Sequence, residues 1–130
     1  MNLVHPTAMI DPYARLGEGC MIGPLVGVDC DVTVGDHVML YGYCGVGHDT
    51  VVGDGCSLAI QTVVAGNCRL GRAVFMGSNS VANEDTRIGD YASVGSGSVV
   101  SGRVPDGVSV MGIPARPVRQ WIRAIGPARR

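Results

Sequence analysis

The 130-residue chain contains no lysine, so all ten of its basic residues are arginines. It has one tryptophan and one phenylalanine, and this scarcity of aromatic residues argues against an aromatic-rich nucleic-acid-binding surface. No apolar run approaches the ~18 residues that a membrane-spanning helix needs. Residues 1–5 show no basic segment followed by an apolar one. No signal peptide is therefore expected, and a cytoplasmic location fits.

The five cysteines show neither zinc-ligand spacing nor a disulfide framework. Four of them occupy the small-residue position of the repeat described next. A buried cysteine usually acts as a small hydrophobic residue, and we interpret these four in that way: Cys20, Cys44, Cys56 and Cys68. No metal site is predicted.

One pattern recurs at every sixth position, seventeen times without interruption. Its first position is a larger aliphatic residue or methionine in every repeat but one, and a small or β-branched residue follows four positions later. The first positions are Val4, Ile10, Leu16, Ile22, Val28, Val34, Leu40, Val46, Val52, Leu58, Val64, Leu70, Met76, Ala82, Ile88, Val94 and Val100. A fixed six-residue period is typical of a β-helix, because neither a helix nor an isolated strand has that period.

Each repeat is predicted to be a short strand followed by a corner. The large and the small residue both point inward, since even spacing along a strand places side chains on one side. Glycine is frequent at the first corner position, and glycine, asparagine or aspartate at the third, where tight turns and positive φ angles are tolerated. Three repeats make one triangular coil. The fold class is therefore all-β, a parallel β-helix of about five to six stacked coils.

The repeat stops after residue 104, which divides the single domain into a β-helix, residues 1–104, and a C-terminal cap, residues 105–130. The cap contains an extended run, Val108–Met111, and a Gly-Ile-Pro-Ala turn. A helix is predicted from Pro117, because apolar residues then follow at helical spacing and proline is favoured at a helix start. Gly126-Pro127 would end this helix.

Charge is distributed unevenly along the chain. Residues 1–115 carry five arginines and eleven acidic residues, a net charge of −6, whereas residues 116–130 carry five arginines and no acid. Arginine pairs well with phosphate, so Arg116 and Arg119 are candidates for binding a phosphorylated cofactor. A weak nucleic-acid contact and a solvated tail are the alternative interpretations of this segment.

One of the three histidines has a notable neighbour. His48 lies at a predicted corner, points outward, and is followed by Asp49. A neutral imidazole beside a carboxylate can take a proton from an amine or a hydroxyl group near neutral pH. His5 and His37 are interpreted as surface residues.

The segments 47–54, 65–67 and 112–115 resemble the hexapeptide-repeat acyltransferases. They are most similar to sialic acid O-acetyltransferases and bacillosamine-pathway nucleotide-sugar N-acetyltransferases, and the similarity covers essentially the whole chain. It implies a left-handed parallel β-helix and a homotrimer, with acetyl-CoA bound in the groove between neighbouring prisms. The related enzymes carry an additional N-terminal α/β domain. This chain starts at the β-helix, so the identity of the acceptor cannot be carried over.

The resemblance also implies roles for individual residues. His48 would be the general base, Asp49 the acid that raises its basicity, and Gly66, which lies one predicted coil after His48, an acetyl-CoA contact. A histidine is often found in the family where this chain has a serine at position 57. Further acetyl-CoA contacts are implied at Ser57, Ser78 and Ser96.

The leading hypothesis is direct acetyl transfer from acetyl-CoA to an amino or hydroxyl group of a small sugar-like acceptor. A γ-type carbonic anhydrase, which uses the same fold, needs three histidines on one metal, and the three in this chain are too far apart in the repeat. A non-catalytic β-helix scaffold or assembly subunit remains the alternative. Neither a nucleic acid nor a membrane is an expected partner.

Overall fold

A computed structural model of the protein describes residues 1–125. Short strands follow one another at the predicted spacing, and each strand of the repeat pairs in parallel with the third strand after it, as Leu3 does with Met21. The strands build three stacked sheets and are followed by one short helix. The predicted parallel β-helix of about six turns is therefore confirmed.

In chain order the elements are β1 (Leu3–Val4), β2 (Met9–Ile10), β3 (Arg15–Leu16), β4 (Met21–Ile22), β5 (Gly27–Val28), β6 (Thr33–Val34), β7 (Met39–Leu40), β8 (Gly45–Val46), β9 (Val51–Val52), β10 (Ser57–Leu58), β11 (Val63–Val64), β12 (Arg69–Leu70), β13 (Phe75–Met76), β14 (Val81–Ala82), β15 (Arg87–Ile88), β16 (Ser93–Val94), β17 (Val99–Val100), β18 (Arg103–Val104), β19 (Ser109–Gly112), β20 (Ala115–Pro117) and α1 (Val118–Ile125).

The three sheets are the faces of a triangular prism. Sheet A contains β1, β4, β7, β10, β13, β16, β19 and β20, sheet B contains β2, β5, β8, β11, β14 and β17, and sheet C contains β3, β6, β9, β12, β15 and β18. The corners stack into three edges. The B–C edge consists of residues 11–13, 29–31, 47–49, 65–67 and 83–85; the C–A edge lies between sheets C and A, and the A–B edge between sheets A and B.

The core lies inside the prism and is made of the predicted inward positions. Leu40, Leu58 and Met76 are fully buried, and so is Ala82, the smallest of the first-position residues. Val4 remains 42% exposed, because the first coil has a neighbouring coil on one side only. Stacking therefore buries each coil's apolar residues, which a single coil could not do.

The four cysteines at small inward positions are buried, and all five are free thiols. Burial raises the pKa of Cys56 to about 11, and it also raises the pKa of Cys44 and Cys68. These thiols stay protonated near neutral pH and pack as small hydrophobic residues, as the sequence predicted.

The third corner position has a positive φ angle at every corner from Gly19 to Gly97. The sequence predicted this conformation where the residue is glycine, asparagine or aspartate. The structure extends it to residues that seldom adopt it, including Leu25 (φ 55°), Tyr43 (φ 63°) and Tyr91 (φ 61°). The left-handed conformation costs a non-glycine residue about 1 kcal/mol, and the stacked core on both sides of each corner offsets that cost.

Glycine is needed at the first corner position for a different reason from the one predicted. None has a positive φ angle; instead, the next coil approaches too closely to leave room for a side chain. At Gly17 the space is taken by the carboxylate of Asp36, whose Oδ1 accepts a hydrogen bond from the Glu18 N–H at 2.8 Å. Asp54 likewise fills the space beside Gly35, and its Oδ1 accepts a hydrogen bond from the Asp36 N–H. A ladder of aspartates thus ties successive coils together along the C–A edge.

The last coil is shorter than the others by two positions, because Arg87 pairs with Arg103 rather than with residue 105. The repeat pattern placed Val104 at a small inward position, which is wrong: Val104 pairs with Ile88 at a large inward position. The shortening takes place at Gly102, which has a φ angle of 78°. The stack then continues through β19, which pairs in parallel with β16.

The C-terminal elements fold over the end of the prism. Strand β20 turns back along β19 in antiparallel pairing, and helix α1 begins at Val118, one residue after the predicted start. The Trp121 indole N–H donates to the Met111 carbonyl at 2.7 Å. Within residues 1–125 no helix is long and apolar enough to cross a bilayer. The predicted helix end and two tail arginines lie outside the described residues: Gly126-Pro127, Arg129 and Arg130.

Candidate functional site

His48 and Asp49 form a hydrogen-bonded pair on the B–C edge. The His48 Nδ1 atom lies 2.9 Å from Asp49 Oδ2. A carboxylate can only accept a hydrogen bond, so Nδ1 carries a proton, and in the neutral imidazole Nε2 keeps its free lone pair. The side chain of His48 is 48% exposed. About half of the imidazole surface is therefore open to solvent.

The imidazole of His48 packs against Gly66, which occupies the same corner position one coil further along. A Cβ atom built on Gly66 would lie 2.6 Å from His48 Cε1 and 2.9 Å from Cδ2. The two coils are joined here by the Asn67 N–H, which donates to the His48 carbonyl at 2.8 Å. The absence of a side chain at residue 66 thus determines where the imidazole can lie.

Glu84 is the next member of this column, two coils beyond His48. Its Oε1 atom lies 3.7 Å from His48 Nε2. Glu84 was not among the residues predicted from the sequence, although its separation from His48 is twice the length of a coil and places it in the same column. A protonated Nε2 therefore faces a second carboxylate across Gly66.

The surroundings of His48 favour its protonated form. The hydrogen bond to Asp49 raises the pKa of His48 above its ordinary value, and partial burial opposes this rise. The charges of Asp49, Glu84 and Asp29 raise the pKa further. The imidazole is consequently a stronger base than a free histidine side chain.

An apolar trough on sheet B adjoins this edge. Gly27 and Gly45 lie side by side on neighbouring strands, and a Cβ atom at either would meet open space. Together with Met9 and Val63 they border a cavity of about 470 Å³ that reaches Gly47, the residue before His48. An extended apolar group could lie in this trough with its end at the imidazole.

The remaining candidate residues lie elsewhere on the chain. Ser57 is in β10 on sheet A, Ser78 and Ser96 are on the A–B edge, Arg116 is in β20, and Arg119 is in α1. The structure therefore brings together His48, Asp49 and Gly66, and leaves the three serines and two arginines away from that edge of the same chain.

The three histidines occupy three different edges, with His5 on the A–B edge, His37 on the C–A edge and His48 on the B–C edge. Residues on different edges of one chain are separated by the core, so its own three imidazoles do not meet at one ion. Across the part of the chain that the structure describes, no group of three or more potential metal ligands occurs.

The family profile of the GMPPB C-terminal domain matches residues 4–106. No curated protein sequence gives a significant match. The match to this profile covers both the His48 edge and all but the last strands of the prism.

Solved structures with a similar fold include an acetyltransferase domain and a perosamine N-acetyltransferase. The acetyltransferase domain of PglB from Neisseria gonorrhoeae FA1090 has a TM-score of 0.86 and 28% identity, covering 90% of this chain and 57% of that one. WeeI from Acinetobacter baumannii AYE has a TM-score of 0.85 and 29% identity, and the alignment covers 88% of this chain and 56% of that one.

A mutant of perosamine N-acetyltransferase from Caulobacter crescentus, in complex with CoA and GDP-perosamine, has a TM-score of 0.74 and 30% identity. The alignment covers 89% of this chain and 55% of that protein. The chain thus spans little more than half the length of these proteins.

Proposed function

Because this chain belongs to the GMPPB C-terminal domain family and shares its fold with sugar acetyltransferases, we propose that it is an acetyl-CoA-dependent acetyltransferase. The acceptor is an amino or hydroxyl group of a sugar or nucleotide-sugar-like molecule. The observation that carries the proposal is the His48–Asp49 pair, with the free Nε2 of His48 directed over Gly66.

Two of the similar structures support the choice of substrates. The PglB acetyltransferase domain has been solved in complex with acetyl coenzyme A, and perosamine N-acetyltransferase with CoA and GDP-perosamine. Both proteins share about the same level of identity with this chain. We therefore assign acetyl-CoA as the co-substrate and a nucleotide-linked amino sugar as the acceptor class to test first.

In the proposed mechanism, His48 acts as the general base. Its Nε2 accepts the proton of the acceptor amine or hydroxyl group while that group attacks the acetyl carbonyl. Asp49 holds the Nδ1 proton and stabilises the imidazolium ion that results. The thioester C–S bond breaks as the new bond is completed, and the imidazolium gives its proton to the departing CoA thiolate. The acetyl group of the thioester is already activated, so no covalent enzyme intermediate is needed.

Gly66 has a second role in this mechanism. Its N–H has no hydrogen-bond acceptor among residues 1–125, so it can donate to the oxygen of the reacting acyl group. A fixed backbone donor aimed at a developing oxyanion contributes substantially to catalysis. The same glycine thereby leaves room for the His48 imidazole and polarises the carbonyl of the thioester.

We propose further that the chain forms a homotrimer and that it is located in the cytoplasm. The outward side chains of sheets A and B are largely apolar, and Met9, Val63 and Phe75 are 76%, 44% and 48% exposed in the single chain. Large apolar surfaces usually mark interfaces. In a trimer, a neighbouring copy can place its Ser57, Ser78 and Ser96 opposite His48, where they could line an acetyl-CoA groove.

The same apolar faces favour one alternative, a β-helix scaffold or assembly subunit without catalysis. The two functions differ in their response to CoA. An enzyme of this kind is stabilised by CoA according to RT ln(1 + [L]/Kd), whereas a scaffold shows no shift in its melting temperature.

The decisive experiment measures thiol release from acetyl-CoA with a panel of amino sugars, nucleotide-linked amino sugars and hydroxylated sugars. His48→Ala should keep CoA binding and lose acetyl transfer by about 10²–10⁴-fold. His37→Ala, which removes a histidine from another edge, is the matched control and should retain activity. Full turnover by the His48→Ala protein would contradict the mechanism.

A further inference from the structure

Three arginines form a column on the outer surface of sheet C. Arg69, Arg87 and Arg103 occupy equivalent outward positions on β12, β15 and β18, and each pairs in register with the next. Neighbouring strands lie ~4.8 Å apart. The three guanidinium groups therefore extend from successive rungs of one sheet.

Within residues 1–125 no ion pair compensates the positive charge of this column. An ion pair on the adjoining C–A edge joins Arg72 to Asp90 at 3.7 Å, but no carboxylate of residues 1–125 forms a salt bridge with any of the three column arginines. Like charges directly opposite one another on adjacent strands are unfavourable. An anion bound between the arginines would remove this repulsion.

One member of the column reaches towards the candidate active site. The Arg87 Nη1 atom donates to the Asn67 carbonyl at 2.6 Å and to the Thr86 carbonyl at 3.3 Å. Asn67 follows Gly66, over which the His48 imidazole lies. The guanidinium of Arg87 is thereby held at the B–C edge, where sheet C meets the His48 column.

A cavity of about 760 Å³ lies along the column. Arg69, Arg87 and Arg103 line it, and Gly71 and Gly89 border it on the side of the C–A edge. Ligand-binding clefts commonly enclose about 300–1,000 Å³, so the space suits a small phosphorylated group. Asp106 is the one acidic residue that lines the cavity.

We propose that Arg69, Arg87 and Arg103 form an anion-binding groove for a diphosphate group. Arginine binds phosphate oxygens through two parallel hydrogen bonds. Three rungs extend over about 10 Å, which suits two linked phosphates with their flanking groups better than a single phosphate. The groove exists independently of acetyl transfer; only the identity of the diphosphate carrier, a nucleotide-linked acceptor or CoA, rests on the proposed function.

The first test is a calorimetric titration of the full chain with inorganic pyrophosphate. The wild type should bind, Arg87→Ala should bind about 10-fold more weakly or worse, and the triple alanine variant should not bind measurably. Arg15→Ala is the matched control, because Arg15 occupies the same column on β3 outside the cavity, and it should bind like the wild type.

The melting temperature without ligand distinguishes a binding role from a structural one. Removing mutually repelling charges should leave it unchanged or raise it, and Arg103→Gln provides a milder variant if the triple substitution fails to fold. The proposal is overturned if pyrophosphate has no effect on the wild type beyond that of sodium chloride at equal ionic strength. It is also overturned if the triple variant binds pyrophosphate as the wild type does.

A second titration identifies the carrier. GDP, UDP and CoA are each added to the wild type and the triple variant. Loss of nucleoside diphosphate binding alone assigns the groove to the acceptor, and loss of CoA binding alone assigns it to the co-substrate. If the triple variant binds the nucleoside diphosphates and CoA as the wild type does, a role for the groove in binding either substrate is overturned. His48→Ala should bind pyrophosphate normally, so a failure of the proposed catalysis is distinguishable from a failure of this groove.

Discussion

The imidazole of His48 lies against the backbone of Gly66, one coil further along the B–C edge, so closely that a methyl group on Gly66 would overlap the ring. The contact joins two residues that are distant in the chain. It fixes the direction of the imidazole and places its Nε2 atom over the position that a side chain at residue 66 would fill. The position of the His48 imidazole thus depends on the absence of a side chain at residue 66.

Gly66→Ala should therefore displace the His48 ring and reduce acetyl transfer by at least about 10-fold, since misplacement by about 1 Å costs up to 10²-fold. Folding should be retained, because Gly66 does not have a positive φ angle. Gly42→Ala is the matched control. Gly42 occupies the equivalent corner position on the A–B edge, and a Cβ atom there has its nearest contact at 3.4 Å. Equal activity of the two variants would contradict the positional role of Gly66.

The pH dependence of kcat/KM should report the raised pKa of His48. A general base acts when deprotonated, so kcat/KM should rise with pH through a midpoint above the ordinary value of about 6.5. Asp49→Asn removes the largest cause of the raised pKa, so the midpoint should move to lower pH, and the plateau should fall by less than in His48→Ala. Glu84→Gln should shift the midpoint in the same direction by a smaller amount. An unchanged midpoint in both variants would show that His48 is not the titrating group.

Substitution by aspartate should destabilise the fold to very different extents at two adjacent valines. Val52 is buried in the core and Val51 faces outward from the same strand. Val52→Asp should bury an unpaired charge and destabilise the fold by several kcal/mol, about 3 or more. Val51→Asp should lower the melting temperature only slightly. Thermal unfolding followed by circular dichroism measures both, and similar melting of the two variants would disprove the inward assignment.

Light scattering should show a trimer at micromolar concentration. Phe75→Arg should disrupt the proposed interface on sheet A and abolish acetyl transfer while the circular dichroism spectrum stays unchanged. Tyr91→Arg changes an aromatic residue that is 65% exposed on the C–A edge, away from the proposed interface, and should leave the assembly intact. A stable wild-type monomer would remove the proposal that neighbouring copies complete the site.

The arginines of the C-terminal segment are expected to contact the phosphates of CoA. Alanine at Arg116, Arg119 and Arg123 together should weaken CoA binding and reduce its dependence on salt, because charge-assisted hydrogen bonds to phosphate are lost. Binding by the triple variant at wild-type strength, with the same salt dependence, would identify these arginines as a solvated surface.

The six-residue period was sufficient to predict the fold, because a stacked coil is the only structure that buries one large and one small residue in every repeat. It also predicted that Cys20, Cys44, Cys56 and Cys68 would be buried. The same period locates columns, since residues separated by three repeats must stack. Gly66 was placed beside His48 on that basis, and the roles of both residues remain proposals.

Three kinds of feature could not be predicted from the six-residue period and depend on the tertiary structure. Leu25 and Tyr43 adopt a left-handed conformation against their own preference because the stacked core requires a corner there. The shortened coil at Gly102 moved Val104 to a different inward position. The approach of Glu84 to His48 and of Arg87 to Asn67 depends on the lengths and directions of side chains. A repeat determines which residues stack, whereas only packing in three dimensions determines which of their atoms meet.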